Sequence, residues 1–341
     1  MKKYIFSLII LLVFINCNQN LTDTENYSIE TLMSNNRTSG GYFSKDASRL
    51  IYSSDKTGVF NIYEVDLATK KKTQKTYSKK ESYFVQGYSP LTNEIIYSAD
   101  KGGNENSHLY LIRNSESIDL TPGEDTKASF FGWTKDQKNM YFQSNSRDPK
   151  YFDLYMIDIK TLETKMIFQN DMAYSYNSIS ENDKYLVFKL SISRNEDKMF
   201  LYDLDTRIKI EISNKKANYS GQGFDKNDEN YFYTTNYDGE FYYLMSYNMT
   251  SGERGLVYKT DWDVRNSYLT KNNTYRVISI NEDAKNRLVV VNNNENSTLN
   301  FKGLEGLNID GVYFSENEEI LRISARSSKS PGEIYTYNLT N

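Results

Sequence analysis

The chain has 341 residues, 45 acidic against 41 basic side chains, and a formal charge of −4. That balance, with basic clusters only at Lys70-Lys71-Lys72 and Lys79-Lys80 in expected turns, argues against nucleic acid as a partner. One cysteine excludes an internal disulfide, and one histidine leaves no zinc-ligand set, so neither metal nor cofactor is expected.

Residues 1–17 form a charged start (Lys2, Lys3), an apolar run from Tyr4 to Ile15, and then Cys17. The apolar run is too short to span a membrane and reads as an export signal. Phe14-Ile15-Asn16-Cys17 resembles the lipobox of bacterial lipoproteins, whose cysteine becomes the lipidated N-terminus, although the small residue before the cysteine is missing. The alternative is an ordinary secretory signal. The resemblance implies an exported protein, lipid-anchored to the bacterial envelope at Cys17 and touching the membrane only through that anchor. Residues 18–26 are polar and read as a tether.

From there a short marker recurs seven times: Phe43-Ser-Lys-Asp, Tyr88-Ser-Pro-Leu, Trp133-Thr-Lys-Asp, Ile179-Ser-Glu-Asn, Phe224-Asp-Lys-Asn, Leu269-Thr-Lys-Asn and Phe314-Ser-Glu-Asn. The step is 45 residues, once 46. A fixed period of about 40–50 residues is the size of a four-stranded propeller blade. An apolar run follows each marker, and one column in it reads Tyr52, Tyr97, Phe142, Phe188, Tyr233, Ile278, Ile323. A second run follows, such as Ile62-Tyr-Glu-Val or Leu154-Tyr-Met-Ile. Both are short, aromatic and β-branched, bounded by Gly, Asn, Asp and Ser, which is strand chemistry. Arg276 and Arg322 interrupt neighbouring columns. The expectation is an all-β chain, a seven-bladed β-propeller of four-stranded antiparallel blades over residues 27–341. The last repeat holds only three strands, and Tyr27–Asn341 is 315 residues, seven periods of 45. Tyr27–Met33 is therefore expected to supply the outer strand of blade seven.

Several stretches resemble the propeller of prolyl-oligopeptidase-family serine peptidases: Tyr52-Ser-Ser-Asp-Lys-Thr-Gly-Val-Phe-Asn-Ile-Tyr, Asp100-Lys-Gly-Gly-Asn-Glu-Asn-Ser-His-Leu-Tyr-Leu, Leu120-Thr-Pro-Gly, and Ser328-Lys-Ser-Pro-Gly-Glu-Ile-Tyr-Thr-Tyr-Asn-Leu. TolB-type propellers share the Ser-x-Asp and Ile-Tyr elements. The resemblance implies a domain that gates substrate for an α/β-hydrolase domain, here lost, truncated or encoded separately, in the last case as a partner. The chemistry of that hydrolase is not written in this chain. Gly87-Tyr-Ser-Pro-Leu91 lacks the second glycine of a nucleophile elbow, and His108 has no such serine beside it.

Function in rigid scaffolds concentrates in loops. On the face carrying the loops between second and third strands, the candidate contacts for a peptide or protein partner are Asn104, Glu105, His108, Arg147, Asp148, Arg194, Trp262 and Arg326. No catalytic residue is assigned. The expected function is a non-catalytic propeller that binds a peptide or a hydrolase domain. The alternative is a stand-alone TolB-like envelope scaffold.

Overall fold

The structure, a computed structural model, describes residues 27–339 apart from positions 300, 302, 305 and 329. The signal, tether and Cys17 readings lie outside the described residues. Residues 36–341 form one compact unit and the residues up to Asn35 another.

The larger unit is a seven-bladed propeller. Each blade is an antiparallel sheet whose strands pair in chain order, four strands in blades one to six and three in blade seven among the described residues. The first strands are Thr38–Phe43, Phe84–Tyr88, Ala128–Trp133, Ser175–Ile179, Tyr219–Phe224, Asp263–Leu269 and Asn308–Phe314.

The marker recurs because it builds the turn from first to second strand. Its second residue is buried in every blade: Ser44, Ser89, Thr134, Ser180, Asp225, Thr270, Ser315. In six blades its side-chain oxygen accepts the backbone N–H that opens the next strand, as in Tyr185 N to Ser180 Oγ at 2.8 Å and Tyr275 N to Thr270 Oγ1 at 2.9 Å. Each turn also holds one residue in the left-handed region: Ala47, Asn93, Gln137, Asp183, Asp228, Asn273 and Glu318, with φ between 53° and 62°. The period is thus the period of a hairpin closed by a side chain.

The column from Tyr52 to Ile323 is buried throughout, as the strand pattern requires. Six apolar clusters each join two successive blades, such as Ile96, Leu109 and Leu111 with Met140 and Phe142. The junction between blades seven and one is of another kind. Arg322, 6% exposed, lies 4.2 Å from the Tyr313 ring centroid and donates Nη1 to the carbonyl of Gly40. Thr38 Oγ1 donates to the Gly332 carbonyl at 3.4 Å. Gly41 has φ +115°, and a Cβ there would sit 2.6 Å from Arg322 Cδ, so the guanidinium stem occupies the place of a side chain. Arg276, the other interruption, is also buried. It stacks 4.1 Å from the Phe232 centroid, and burial lowers its pKa to about 10.

One expectation is corrected. Tyr27–Met33 is no strand: Ile29–Met33 is a one-turn helix. Ser28 caps it by accepting the Thr31 N–H at 3.1 Å, and Glu30 sits in its first turn. The local Ser-x-x start offers this segment hydrogen bonds within itself, and they outcompete pairing across a ring.

Candidate functional site

The blade geometry divides the loops between two faces. Loops from second to third strand share one face with those joining successive blades. The marker turns lie on the other.

The sequence candidates sit on the first face, and they do not converge on one cavity. His108 opens the third strand of blade two, His108–Arg113, rather than lying in a loop as its polar neighbours suggested. Its Nδ1 bonds Asp119 Oδ2 at 2.8 Å, and no serine hydroxyl bonds its ring among the described residues. His108 and Asn104 line a 520 Å³ cavity with Tyr110 and Glu124. Asn104 also shapes its own loop by accepting the Asn106 N–H at 3.0 Å, and Glu105 holds the left-handed position there with φ 60°. Arg147 is occupied by structure. It forks onto the fully buried Asp153 at 2.6 and 3.0 Å and reaches Asp171 at 3.1 Å, and these carboxylates raise its pKa. Asp148 accepts the Lys150 N–H at 2.9 Å and closes the hairpin. Arg194 is exposed, and its carbonyl accepts from Asn218 Nδ2 at 3.0 Å. Arg326 pairs with Asp310 at 3.2 Å beside a separate 810 Å³ cavity. Trp262 is 37% exposed, 6.2 Å from the Phe241 ring. Trp262, Phe84 and Ile192 leave large apolar area exposed on this face.

A larger opening than these lies on the other face. A cavity of about 900 Å³ is lined by Pro90, Trp133, Glu181, Lys226, Lys271 and Glu316. These residues come from blades two to seven in turn, and a cavity touching six blades of a ring is the mouth of its axial channel. All but Trp133, which opens its marker, are the third residues of the markers, completed by Lys45 in blade one, which lines an adjoining 290 Å³ cavity with Tyr42, Phe130, Trp133 and Tyr313. Lys135, the third residue of blade three, lines the large cavity as well. Four lysines and two glutamates thus form a collar. The repeat spaces them along the chain, but nothing in the sequence marks the third marker position as facing the axis. Under the collar every first strand carries a register shift against its partner. Such bulges re-aim side chains, and the unpaired residues Phe131 and Asn177 line the opening.

The turns of the collar are stitched to one another. Lys135 N donates to Asp183 Oδ2 at 2.9 Å, Glu181 N to Asp228 Oδ1 at 2.7 Å, Lys226 N to Asn273 Oδ1 at 3.1 Å, and Asn272 N to Glu318 Oε1 at 2.6 Å. The acceptors are the left-handed residues of the next blade. Burial raises the pKa values of Asp183 and Asp228, and these backbone donors hold them down in part.

Most charged groups of the collar are paired. Lys271 bonds Glu316, which also accepts from Gln137 Nε2 at 3.1 Å. Lys226 Nζ reaches Asn272 at 3.2 Å, and Lys45 Nζ reaches Gln137 at 3.4 Å. The Glu181 carboxylate and the Lys135 ammonium have no hydrogen-bond or ion-pair partner among the described residues. Water reaches Glu181, yet the surrounding walls displace bulk solvent, and this burial, with Asp228 nearby, raises its pKa.

No curated protein sequence matches this chain. Solved structures do match. A prolyl endopeptidase superposes with a TM-score of 0.70 at 11% identity, covering 90% of this chain and 49% of its own. An oligogalacturonate lyase solved with manganese gives 0.64 at 15% identity, covering 89% and 90%. TolB from Acinetobacter baumannii gives 0.52 at 12%, covering 89% and 77%. At such identities these likenesses show the fold alone. The chain spans about half the length of the prolyl endopeptidase it matches. The family model of the prolyl oligopeptidase N-terminal β-propeller domain matches residues 37–341, and the chain belongs to that family.

Proposed function

We propose that this propeller gates substrate for a prolyl-oligopeptidase-like serine hydrolase, has no catalytic activity of its own, and binds a peptide or that partner domain on the hairpin face. The observation that carries this reading is the apolar surface on that face. Ile192, Trp262 and Phe84 are 49%, 37% and 39% exposed, at the tips of a rigid scaffold. Large apolar side chains exposed on one face of a rigid scaffold are the material of interface anchors. The second strands of blades three and four run on to Asp148 and Ser193, so their hairpins project from this face. Export and anchoring through Cys17 belong to the same proposal, because they place the propeller where external peptides would meet it.

The protein purified from its source in mild detergent, then treated with a fluorophosphonate probe, tests the reading. The expected label falls on an α/β-hydrolase domain present in stoichiometric amount, with none on residues 27–339. Trp262→Ala combined with Ile192→Asp is expected to release that domain. A preparation with no such hydrolase refutes the gating reading. The TolB-like scaffold reading, supported by the match to TolB, then takes its place.

A further inference from the structure

A one-sided charge lies along the rim of blade one. From Lys70 to Lys80 six of eleven residues are lysines and none is acidic. The run crosses the outermost strand of the blade, Lys72–Gln74. The turn before that strand is on the marker face and the loop after it on the hairpin face. Lys70, Lys71 and Lys72 therefore stand at one end of the rim, and Lys79 and Lys80 at the other. The backbone between them is fixed: Lys75 N donates to the Ile62 carbonyl at 2.8 Å, Ser78 N to Asn61 Oδ1 at 2.8 Å, and the buried Thr76 accepts the Ile62 N–H at 2.8 Å. Lys75 is paired with Glu64 at 2.9 Å. The other five lysines are exposed, and their ammonium groups have no hydrogen-bond or ion-pair partner among the described residues. The flanking carboxylates are engaged: Asp66 accepts the Thr69 N–H at 2.7 Å and Glu81 the Gly102 N–H at 3.1 Å. Within the run Tyr77 is 75% exposed, its hydroxyl donating to the Gln74 carbonyl at 3.1 Å. The outer strand of blade two, Glu116–Asp119, carries two carboxylates and no base, so the positive charge is local to one blade of a chain whose net charge is −4.

We propose that this rim docks the propeller edge-on against an anionic lipid surface, with the five unpaired lysines at the phosphate headgroups and Tyr77 at the headgroup boundary. Delivery to a membrane rests on the export reading above; the charge of the rim does not. Clusters of basic side chains partition toward anionic lipid by about fivefold for each lysine near the surface. A tyrosine, apolar in its ring and polar at its tip, suits that boundary. The seven residue steps from Lys72 to Lys79 reach at most roughly 25 Å. Charges strung over that length on a convex rim match a charged plane rather than one small anion. The chain enters blade one at Thr38, 21 positions after Cys17, so an anchor at Cys17 leads to this blade first. Docking on the rim leaves the hairpin face free for a partner domain and the marker-face mouth open to solvent.

Vesicle flotation of the full chain carrying Cys17→Ser, which cannot be acylated, tests the proposal. One set of vesicles is phosphatidylcholine and the other contains phosphatidylglycerol as well. The readout is the ratio of the two partition coefficients, because the apolar leader contributes to both. The expected ratio is well above one in dilute salt and falls toward one as salt screens the charges. Lys79→Gln with Lys80→Gln should lower it about tenfold or more, and neutralising Lys70, Lys71 and Lys72 together should lower it further. Neutralising Lys127, Lys150 and Lys160, exposed lysines of blade three, should leave it within about twofold of the parent. All the substituted side chains are exposed, so the variants are expected to fold, which circular dichroism checks. A parent ratio near one, a rim variant that keeps the parent ratio, or blade-three variants as weak as the rim variants overturns the proposal. Dextran sulfate that holds the parent at salt concentrations where anionic vesicles release it overturns the assignment to lipid. Because these vesicles meet unacylated protein, their result stands apart from the anchoring at Cys17, which cell fractionation decides.

Discussion

Ser180→Ala tests the physical basis of the repeat. The Ser180 side chain is buried; its Oγ accepts the Tyr185 N–H at 2.8 Å and the Lys184 N–H at 3.1 Å, and donates to Asn182 Oδ1 at 2.7 Å. Lys184 N keeps a second acceptor in Asn182 Oδ1 at 3.0 Å, so the substitution orphans one backbone donor, Tyr185 N. A buried donor left unmade costs about 1–3 kcal/mol, and the lost Ser180–Asn182 bond adds roughly 1 kcal/mol. The expected loss is about 2–4 kcal/mol, which in a domain of about 300 residues lowers the melting midpoint by roughly 3–6 °C. Ser180→Thr keeps the hydroxyl, as Thr134 and Thr270 do in their blades, and should stay within about 1 kcal/mol of the parent. Differential scanning calorimetry of the parent and both variants is the assay, with fraction-unfolded curves from two probes to establish whether the ring melts as one unit. An alanine variant melting within about 1 °C of the parent, or a threonine variant as unstable as the alanine one, refutes the account of the marker.

Gly41→Ala forces a side chain into the Arg322 stem at a left-handed φ, and should destabilise by about 2 kcal/mol or more. Hydrogen exchange should rise first in Thr38–Phe43 and Ile320–Ser327, the two sides of the closing junction; uniform acceleration around the ring would contradict this. Asp183→Asn copies Asn273, which holds the same position in blade six. Because the folded pKa of Asp183 is raised, its ionised form is penalised above that pKa and the penalty fades as pH falls through it. The asparagine variant should therefore melt above the parent at neutral pH and converge with it in acid, and a gain that grows toward acid would refute the sign. Cys17→Ser should shift the protein from the membrane to the soluble fraction on cell fractionation; unchanged membrane association would show that lipidation is not the anchor.

The repeat was legible because each hairpin is closed by its own residues. Ser44 and its counterparts in five other blades act within five positions along the chain, so their spacing reports the blade directly. The buried column from Tyr52 to Ile323 was legible for the same reason, since strand alternation is local. The candidate contacts on the hairpin face were chosen for polarity and loop length, and many of them serve their own turns, as Asn104 and Asp148 do. Polarity in a turn does not separate a ligand contact from backbone capping.

What the sequence by itself determined is the blade: its period, its strands, and seven copies of one turn. Only the tertiary structure decided how the copies meet. It places Arg322 rather than an apolar side chain at the seam between blades seven and one. It also pairs Lys271 with Glu316 while leaving Glu181 and Lys135 without a hydrogen-bond or ion-pair partner among the described residues. The seam and the collar pairing depend on contacts between residues one or more repeats apart, where the free energy of a pair is set by which neighbours the closed ring brings within a few ångströms, and no local pattern carries that information.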